Sequence, residues 1–387
     1  MDRDEMTSQY LFQSRNPSTW NGTSTHRDRK IKKNDRKYCS EYEEIDPADV
    51  KDARPGFQTH KMEEEASSGG AQLTDRKSVD PRATFAKVLL GRSIGKLAKE
   101  YVDSRSYLPK NYSVEIYKEN EVRNRYSDVL CNDRTRVVLN NGNYVHANWL
   151  PVPNSHQRFI CAQGPMEETA EDFWTMIVQE KAQVVIMLCD FYENGVEKCY
   201  EYFPAKQGAS VRIGQYVITN FMHADCEIDT VKWSVLEVVS ARRKVLIHHF
   251  RWSDWPDHLA PLDPGIIIEL MALSKAKSDV RPIVVHCSAG IGRTGTFVGL
   301  EFANERLKNG DKMGLVDIMK ELRAHRLQSI QSHLQYLYLA VCLLEFFARQ
   351  NLIDRDSKFK TFLNNYISYV KRHAAKHGIK AGKKDKG

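Results

Sequence analysis

The chain has 387 residues, 41% hydrophobic and 28% charged, with 57 basic against 50 acidic side chains and a formal net charge of +7. That is enough apolar material for a substantial core, yet no apolar run approaches the ~18 residues that a membrane-spanning helix needs. The charge is unevenly placed, because residues 371–387 hold seven Lys or Arg against the single acid Asp385; basicity marks a tail and does not argue for a nucleic-acid surface on the folded part.

Residues 1–80 are polar, mixed in charge and without periodic apolar positions, and they open on no apolar signal segment. With the linker-like Ser67-Ser68-Gly69-Gly70, they are expected to form a disordered arm. Order is expected from Pro81. Over residues 83–102, Phe85, Val88, Leu89, Leu97 and Tyr101 recur at helical spacing. Strand-like runs then occupy residues 136–139, 158–161, 184–188, 216–218, 231–236, 245–250 and 283–285. Helical patterns lie at 169–180, 265–274, 294–308, 315–323 and 334–349. Residues 359–371 repeat Phe359, Phe362, Leu363, Tyr366, Ile367 and Val370 at helical spacing, which predicts a terminal helix packed on the domain. Three segments follow: an arm over 1–80, a domain over 81–350, and a terminal helix with its basic tail over 351–387. The tail is a candidate contact for anionic surfaces and a candidate nuclear address. Eight cysteines without metal-type spacing fit a reducing compartment, so a cytoplasmic location is expected.

Residues 286–294 are His286-Cys287-Ser288-Ala289-Gly290-Ile291-Gly292-Arg293-Thr294, between the apolar run Ile283-Val284-Val285 and a helix-compatible stretch. A strand, a tight loop and a helix start aim several backbone N–H groups at one point beside the positive end of the helix dipole, which makes an anion site. Small residues let the backbone close around a phosphate, and the planar fork of Arg293 suits two phosphate oxygens. Positive potential there favours the nucleophilic thiolate of Cys287. A structural cysteine would need neither the glycines nor the arginine.

The nonamer resembles the signature loop of the cysteine-dependent, non-receptor protein tyrosine phosphatases. Further blocks carry the resemblance in order: Asn124-Arg125-Tyr126-Ser127-Asp128-Val129, Gln163-Gly164-Pro165, Lys198-Cys199-Tyr200-Glu201-Tyr202-Phe203-Pro204, Trp255-Pro256-Asp257 and Gln331-Ser332-His333-Leu334-Gln335-Tyr336. The resemblance implies an α/β fold, a highly twisted mixed sheet flanked by helices, with the catalytic loop between a strand and a helix. It implies phosphotyrosine-containing protein substrates, and no metal or other cofactor. Cys287 is then the nucleophile and Arg293 the phosphate clamp, together with the N–H groups of Ser288, Ala289, Gly290, Ile291 and Gly292. Asp257 is the general acid and base, Gln331 positions the water with Gln335 in support, and Thr294 donates its hydroxyl to the sulfur. Tyr126 walls the aromatic slot and Asp128 bonds the substrate backbone. His286, Trp255, Glu193 and Lys198 support these groups.

Some positions depart from the family pattern. Leu259 stands where glycine is usual; if that hinge needs φ > 0, leucine costs roughly 1–2 kcal/mol. Ser127 replaces a residue often basic, Gln328 a glycine that in some members opens an auxiliary pocket, and His146 a common asparagine. A dual-specificity phosphatase is disfavoured because the Tyr126 block is present. A pseudophosphatase that only binds phosphotyrosine is the alternative; such proteins lose the cysteine, arginine or acid, and all three stand here. A metallophosphatase is disfavoured because adjacent His248 and His249 on a strand point to opposite faces. The phosphate loop Gly-x4-Gly-Lys-Ser/Thr of nucleotide enzymes is absent.

Overall fold

The computed structural model describes residues 79–241, 243–255, 259–310 and 312–377. The expected arm lies outside them except for Val79 and Asp80, as do Pro256, Asp257 and the tail beyond His377.

Eight strands form one mixed sheet: β1 (Ala147–Pro151), β2 (Arg158–Ala162), β3 (Val184–Met187), β6 (Ser210–Ile213), β7 (Tyr216–Ala224), β8 (Val231–Val239), β9 (Lys244–Trp252) and β10 (Ile283–His286). A separate ribbon pairs β4 (Tyr192–Glu193) with β5 (Val196–Glu197). The spatial order of the sheet is β1-β2-β10-β3-β9-β8-β7-β6. The central four, β2-β10-β3-β9, are parallel, with Val284 beside Ile160 and Val185. All residues of β3 and β10 are buried, as strands covered on both faces must be, which explains the unbroken apolar spelling of β3 and of residues 283–285 in β10. Antiparallel pairs complete both edges. Because the four parallel strands run the same way, the segments leaving them meet at one end of the sheet. Gln163 follows β2, Cys287 follows β10, Leu188 follows β3, and Trp255 lies three residues beyond β9.

Helices cover the sheet: α1 (Pro81–Leu90), α2 (Ile94–Ser104), α3 (Glu115–Glu119), α4 (Ala170–Gln179), α5 (Gly265–Ser278), α6 (Gly292–Lys308), α7 (Leu315–His325), α8 (His333–Arg349) and α9 (Ser357–Lys376). The helical spacing over 83–102 belongs to two helices. The chain breaks after Gly91, and Ser93 Oγ caps the second helix by accepting from the Lys96 N–H at 3.3 Å. The strand expected over 136–139 is reduced to one bridge between Arg136 and Asn148. It flanks β1 at the sheet edge and pairs there at a single point, with the Val137 N–H on Ala147 O. The terminal helix packs as its spacing predicts. Phe359, Phe362, Tyr366 and Val370 of α9 are buried, Asp356 caps it through the Phe359 N–H, and the Tyr366 hydroxyl donates to Pro261 O at 2.6 Å. No described helix is long and apolar enough to cross a membrane.

Candidate active site

β10 delivers His286, and α6 begins at Gly292, so residues 287–291 form the turn between them. Gly290 has φ +70°, and a Cβ there would lie 2.0 Å from Ala162 O, so only glycine fits. A Cβ on Gly292 would lie within 2.8–2.9 Å of Gln331 Oε1 and both amide atoms of Gln335, which places these two side chains against the loop. The Gly290 N–H points inward and donates to Cys287 Sγ at 3.2 Å. The sulfur sits at the floor of the turn, with Cys287 only 2% exposed.

Arg293, on the first turn of α6, is fixed from outside. Its Nη1 and Nη2 donate to Glu193 Oε1 and Oε2 at 2.5 and 2.6 Å, a bidentate pair, and Nη1 also reaches Leu188 O at 2.9 Å. The guanidinium and carboxylate are 3% and 11% exposed, so this ion pair is shielded from solvent and geometrically strict. Glu193 lies on the β4–β5 ribbon, which brings that carboxylate to the loop. Lys198, just after the ribbon, is buried, and its carbonyl accepts the Ser288 hydroxyl at 2.8 Å. Since the Ser288 hydroxyl proton is spent there, the Tyr126 hydroxyl must donate to Ser288 Oγ at 2.7 Å. Tyr126 is thereby bound to the residue after the cysteine, and it shares a small apolar cluster with Val129, Ala289 and Ile291. Asp128 is half-buried on the same loop, and its carbonyl accepts from Gln328 Nε2 at 2.9 Å. Gln328 Oε1 also accepts the Leu130 N–H at 2.8 Å, so this side chain clasps the Tyr126 loop on both sides.

His286 is fully buried. Its Nδ1 lies 3.1 Å from Cys287 O and its Nε2 2.8 Å from the Tyr202 hydroxyl, which also meets His249 Nε2 at 2.6 Å. Burial lowers the His286 pKa to about 4, so the imidazole is neutral near pH 7 and braces the loop without adding charge. His248, on the other face of β9, meets Trp233 instead. Gln331 donates its N–H to Gln335 Oε1 at 3.0 Å, and its carbonyl takes the Tyr101 hydroxyl. Ser332 Oγ accepts the Gln335 N–H, so the cap of α8 holds both glutamines.

Asp257, the expected general acid, lies outside the described residues. Its neighbour Trp255 is buried against Trp252 and Tyr338, and its indole donates to Leu259 O at 3.2 Å. Leu259 itself joins the core, where a glycine would leave that space unfilled. Thr294 does not make the expected bond to sulfur. Its hydroxyl is buried and meets no hydrogen-bond partner among the described residues, while the sulfur takes the Gly290 N–H.

Two arginines are further parts of this site. Arg125 ties the Tyr126 loop to Gly164 O and Pro165 O at 2.9 and 2.7 Å. Arg326, fully buried, donates from Nη2 to Ala289 O and from Nε to Gly290 O, each at 3.0 Å. Neither could be singled out from sequence, because their partners, loop carbonyls and the side chains of Glu197, His146 and Asn148, are distant in the chain. Among the described residues no three His, Cys, Asp or Glu side chains are arranged to hold a metal.

Comparison with known proteins agrees with this geometry. The family described as protein-tyrosine phosphatase matches residues 120–345. The human receptor-type tyrosine-protein phosphatase C is 32% identical over 291 residues, covering 70% of this chain and 22% of that protein. The mouse tyrosine-protein phosphatase non-receptor type 9 is 31% identical over 279 residues, covering 66% of this chain and 47% of that protein. The chain thus spans less than half the length of these curated relatives. The crystal structure of the catalytic domain of human protein tyrosine phosphatase non-receptor type 18 superposes with TM-score 0.60 at 24% identity, over 69% of this chain and all of that one, a likeness of fold. With more than half of its residues matched by one family and the sheet and helices of a solved catalytic domain recovered over that domain's whole length, the chain belongs to the protein tyrosine phosphatase family.

Proposed function

We propose that the domain hydrolyses phosphotyrosine in proteins by two successive displacements at phosphorus. The Cys287 thiolate attacks phosphorus, the bond to the tyrosyl oxygen breaks, and Asp257 protonates that oxygen as it leaves. A water positioned by Gln331 and Gln335 then attacks the phosphocysteine. Asp257, now a carboxylate, takes its proton, and inorganic phosphate departs as the sulfur–phosphorus bond breaks. Arg293 and the N–H groups from Ser288 to Arg293 hold the three equatorial oxygens throughout, the preorganised electrostatic contribution that dominates such reactions. Tyr126 supplies a flat wall for the substrate ring, a depth that leaves phosphoserine short of the sulfur. Asp128 holds the substrate backbone.

One observation carries this reading: the Gly290 N–H aimed at Cys287 Sγ beside an arginine already oriented by Glu193. Aryl phosphate hydrolysis with chelator present tests it. Wild-type protein is expected to turn over without added metal, Cys287→Ser to be inactive, and Asp257→Ala to lose about 10²–10⁴-fold in kcat while still capturing phosphotyrosyl proteins. A strict metal requirement overturns the cysteine mechanism, and capture without turnover by the wild type marks a phosphotyrosine-binding module instead.

A further inference from the structure

His146 is 2% exposed and sits between the two loops that matter most. Its Nδ1 lies 3.0 Å from Arg326 Nη1, and its Nε2 lies 2.9 Å from Val129 O. A guanidinium only donates, so Nδ1 must accept; the ring proton is therefore on Nε2 and donates to Val129. Each ring nitrogen has one task. Burial, with Arg326 alongside, lowers the pKa of His146 to about 3, which keeps the ring in the neutral form that both bonds require. The ring is also held edge-on between Tyr117 and Tyr144, centroids 5.9 and 6.4 Å away. Those tyrosines donate to Ser127 O and Asn124 Oδ1 of the same Tyr126 loop.

On the other side, Arg326 Nη1 also donates to Asn148 Oδ1 at 2.7 Å, and Nη2 pulls on Ala289 O at 3.0 Å. The peptide unit from Ala289 to Gly290 is planar and trans, so its carbonyl and its N–H point in opposite directions. Drawing the Ala289 carbonyl toward Arg326 aims the Gly290 N–H at Cys287 Sγ, where it is found at 3.2 Å. A continuous path therefore runs from Val129 O through the imidazole, the guanidinium and one peptide plane to the sulfur.

We propose that His146 is a positioning residue that couples the aromatic wall at Tyr126 to the anion-binding turn at Cys287. The proposal rests on the phosphatase reading for its kinetic consequences and on geometry alone for its binding consequences. Two substitutions separate the nitrogens. In His146→Asn the amide oxygen can stand where Nδ1 stood and accept from Arg326, while the amide nitrogen falls short of Val129. In His146→Gln the amide nitrogen reaches the place of Nε2 and can donate to Val129, while Arg326 loses its ring acceptor.

With aryl phosphate as substrate, His146→Asn is expected to raise KM about tenfold with kcat near wild type, and His146→Gln to lower kcat about tenfold with a smaller change in KM, the scale of one buried hydrogen bond. Orthovanadate affinity, followed by tryptophan fluorescence, should fall in His146→Gln and hold in His146→Asn. In the unsubstituted protein, ¹⁵N NMR of the imidazole should place the proton on Nε2. Equal shifts of kcat and KM in both variants, or no shift in either, overturn the proposal, as does a proton on Nδ1. Should the wild type bind vanadate but hydrolyse nothing, the phosphatase reading fails, and the vanadate comparison and the ring proton still decide the role of His146.

Discussion

Glu193 and Arg293 illustrate how one buried pair can set the direction of a charge. Both terminal nitrogens of the guanidinium are engaged by one carboxylate, and a shielded pair of this kind is costly to break from one side because the other charge stays behind unpaired. Glu193→Gln retains the shape but removes the charge and one of the two acceptors. On the proposed mechanism, kcat/KM for an aryl phosphate is expected to fall at least about tenfold, with a lower melting temperature, since weakening such a contact costs more than ~1.4 kcal/mol. Unchanged steady-state kinetics would show that Arg293 orients itself. At this scale the sequence is informative where a residue's task is shared with its immediate neighbours. The nonamer from His286 to Thr294 announces an anion site because strand, turn and helix start are contiguous. Arg326 gives no such signal: among its acceptors the carbonyls of Ala289 and Gly290 stand 37 and 36 residues away, and His146 and Asn148 stand 180 and 178 away. The expected Thr294–Cys287 bond is absent for a similar reason, because which donor a sulfur takes depends on how the turn closes.

Among the elements, those with an apolar pattern are legible, down to the four residues of β3 and β10, and the smallest ribbon is not. β8, β9, α6 and α8 stand where their periodicity puts them, although β8 and β9 run beyond the expected ends. The two-residue strands β4 and β5, which carry Glu193, were not legible, because a ribbon that small has no period of its own. α9 is the opposite case. Its apolar stripe predicts a docked helix, and Tyr366 joins it to the body twice, by the bond to Pro261 O and by stacking on Tyr338 with centroids 6.3 Å apart. Pro261 follows Trp255 by six residues, and Tyr338 touches Trp255 at 5.2 Å. Tyr366→Ala therefore removes a fully buried ring that packs on Tyr338 and bonds Pro261. A loss of about 3–5 kcal/mol in urea-unfolding free energy is expected, the usual cost of truncating a large buried aromatic. A change below 1 kcal/mol would mean that α9 is only loosely held.

For the whole molecule, buried histidines set the acid limit. Burial lowers His286 to about 4 and His146 and His333 to about 3, and His249 is also lowered well below its ordinary value. The unfolded chain takes up these protons near pH 6.5 and the folded one does not, so the stabilisation is complete above pH 6.5 and declines as the pH falls. For His286 the decline ends near pH 4, where both states are protonated. Each histidine contributes a slope of up to about 1.4 kcal/mol per pH unit. Urea unfolding at pH 7 and pH 5 checks this: a clear fall in midpoint is expected at pH 5, and equal midpoints would require these rings to be charged or open to water. The mixed sheet flanked by helices was legible from family resemblance, and the apolar runs agreed with it but did not dictate its strand order. The order has its own significance. β10 lies inside the parallel set, with β2 on one side and β3 on the other, so the thiol follows a strand hydrogen-bonded along both edges. Its companions arrive on separate excursions from neighbouring rungs. A scaffold organised in this way lets each excursion change its length or spelling without moving the strand that holds the thiol.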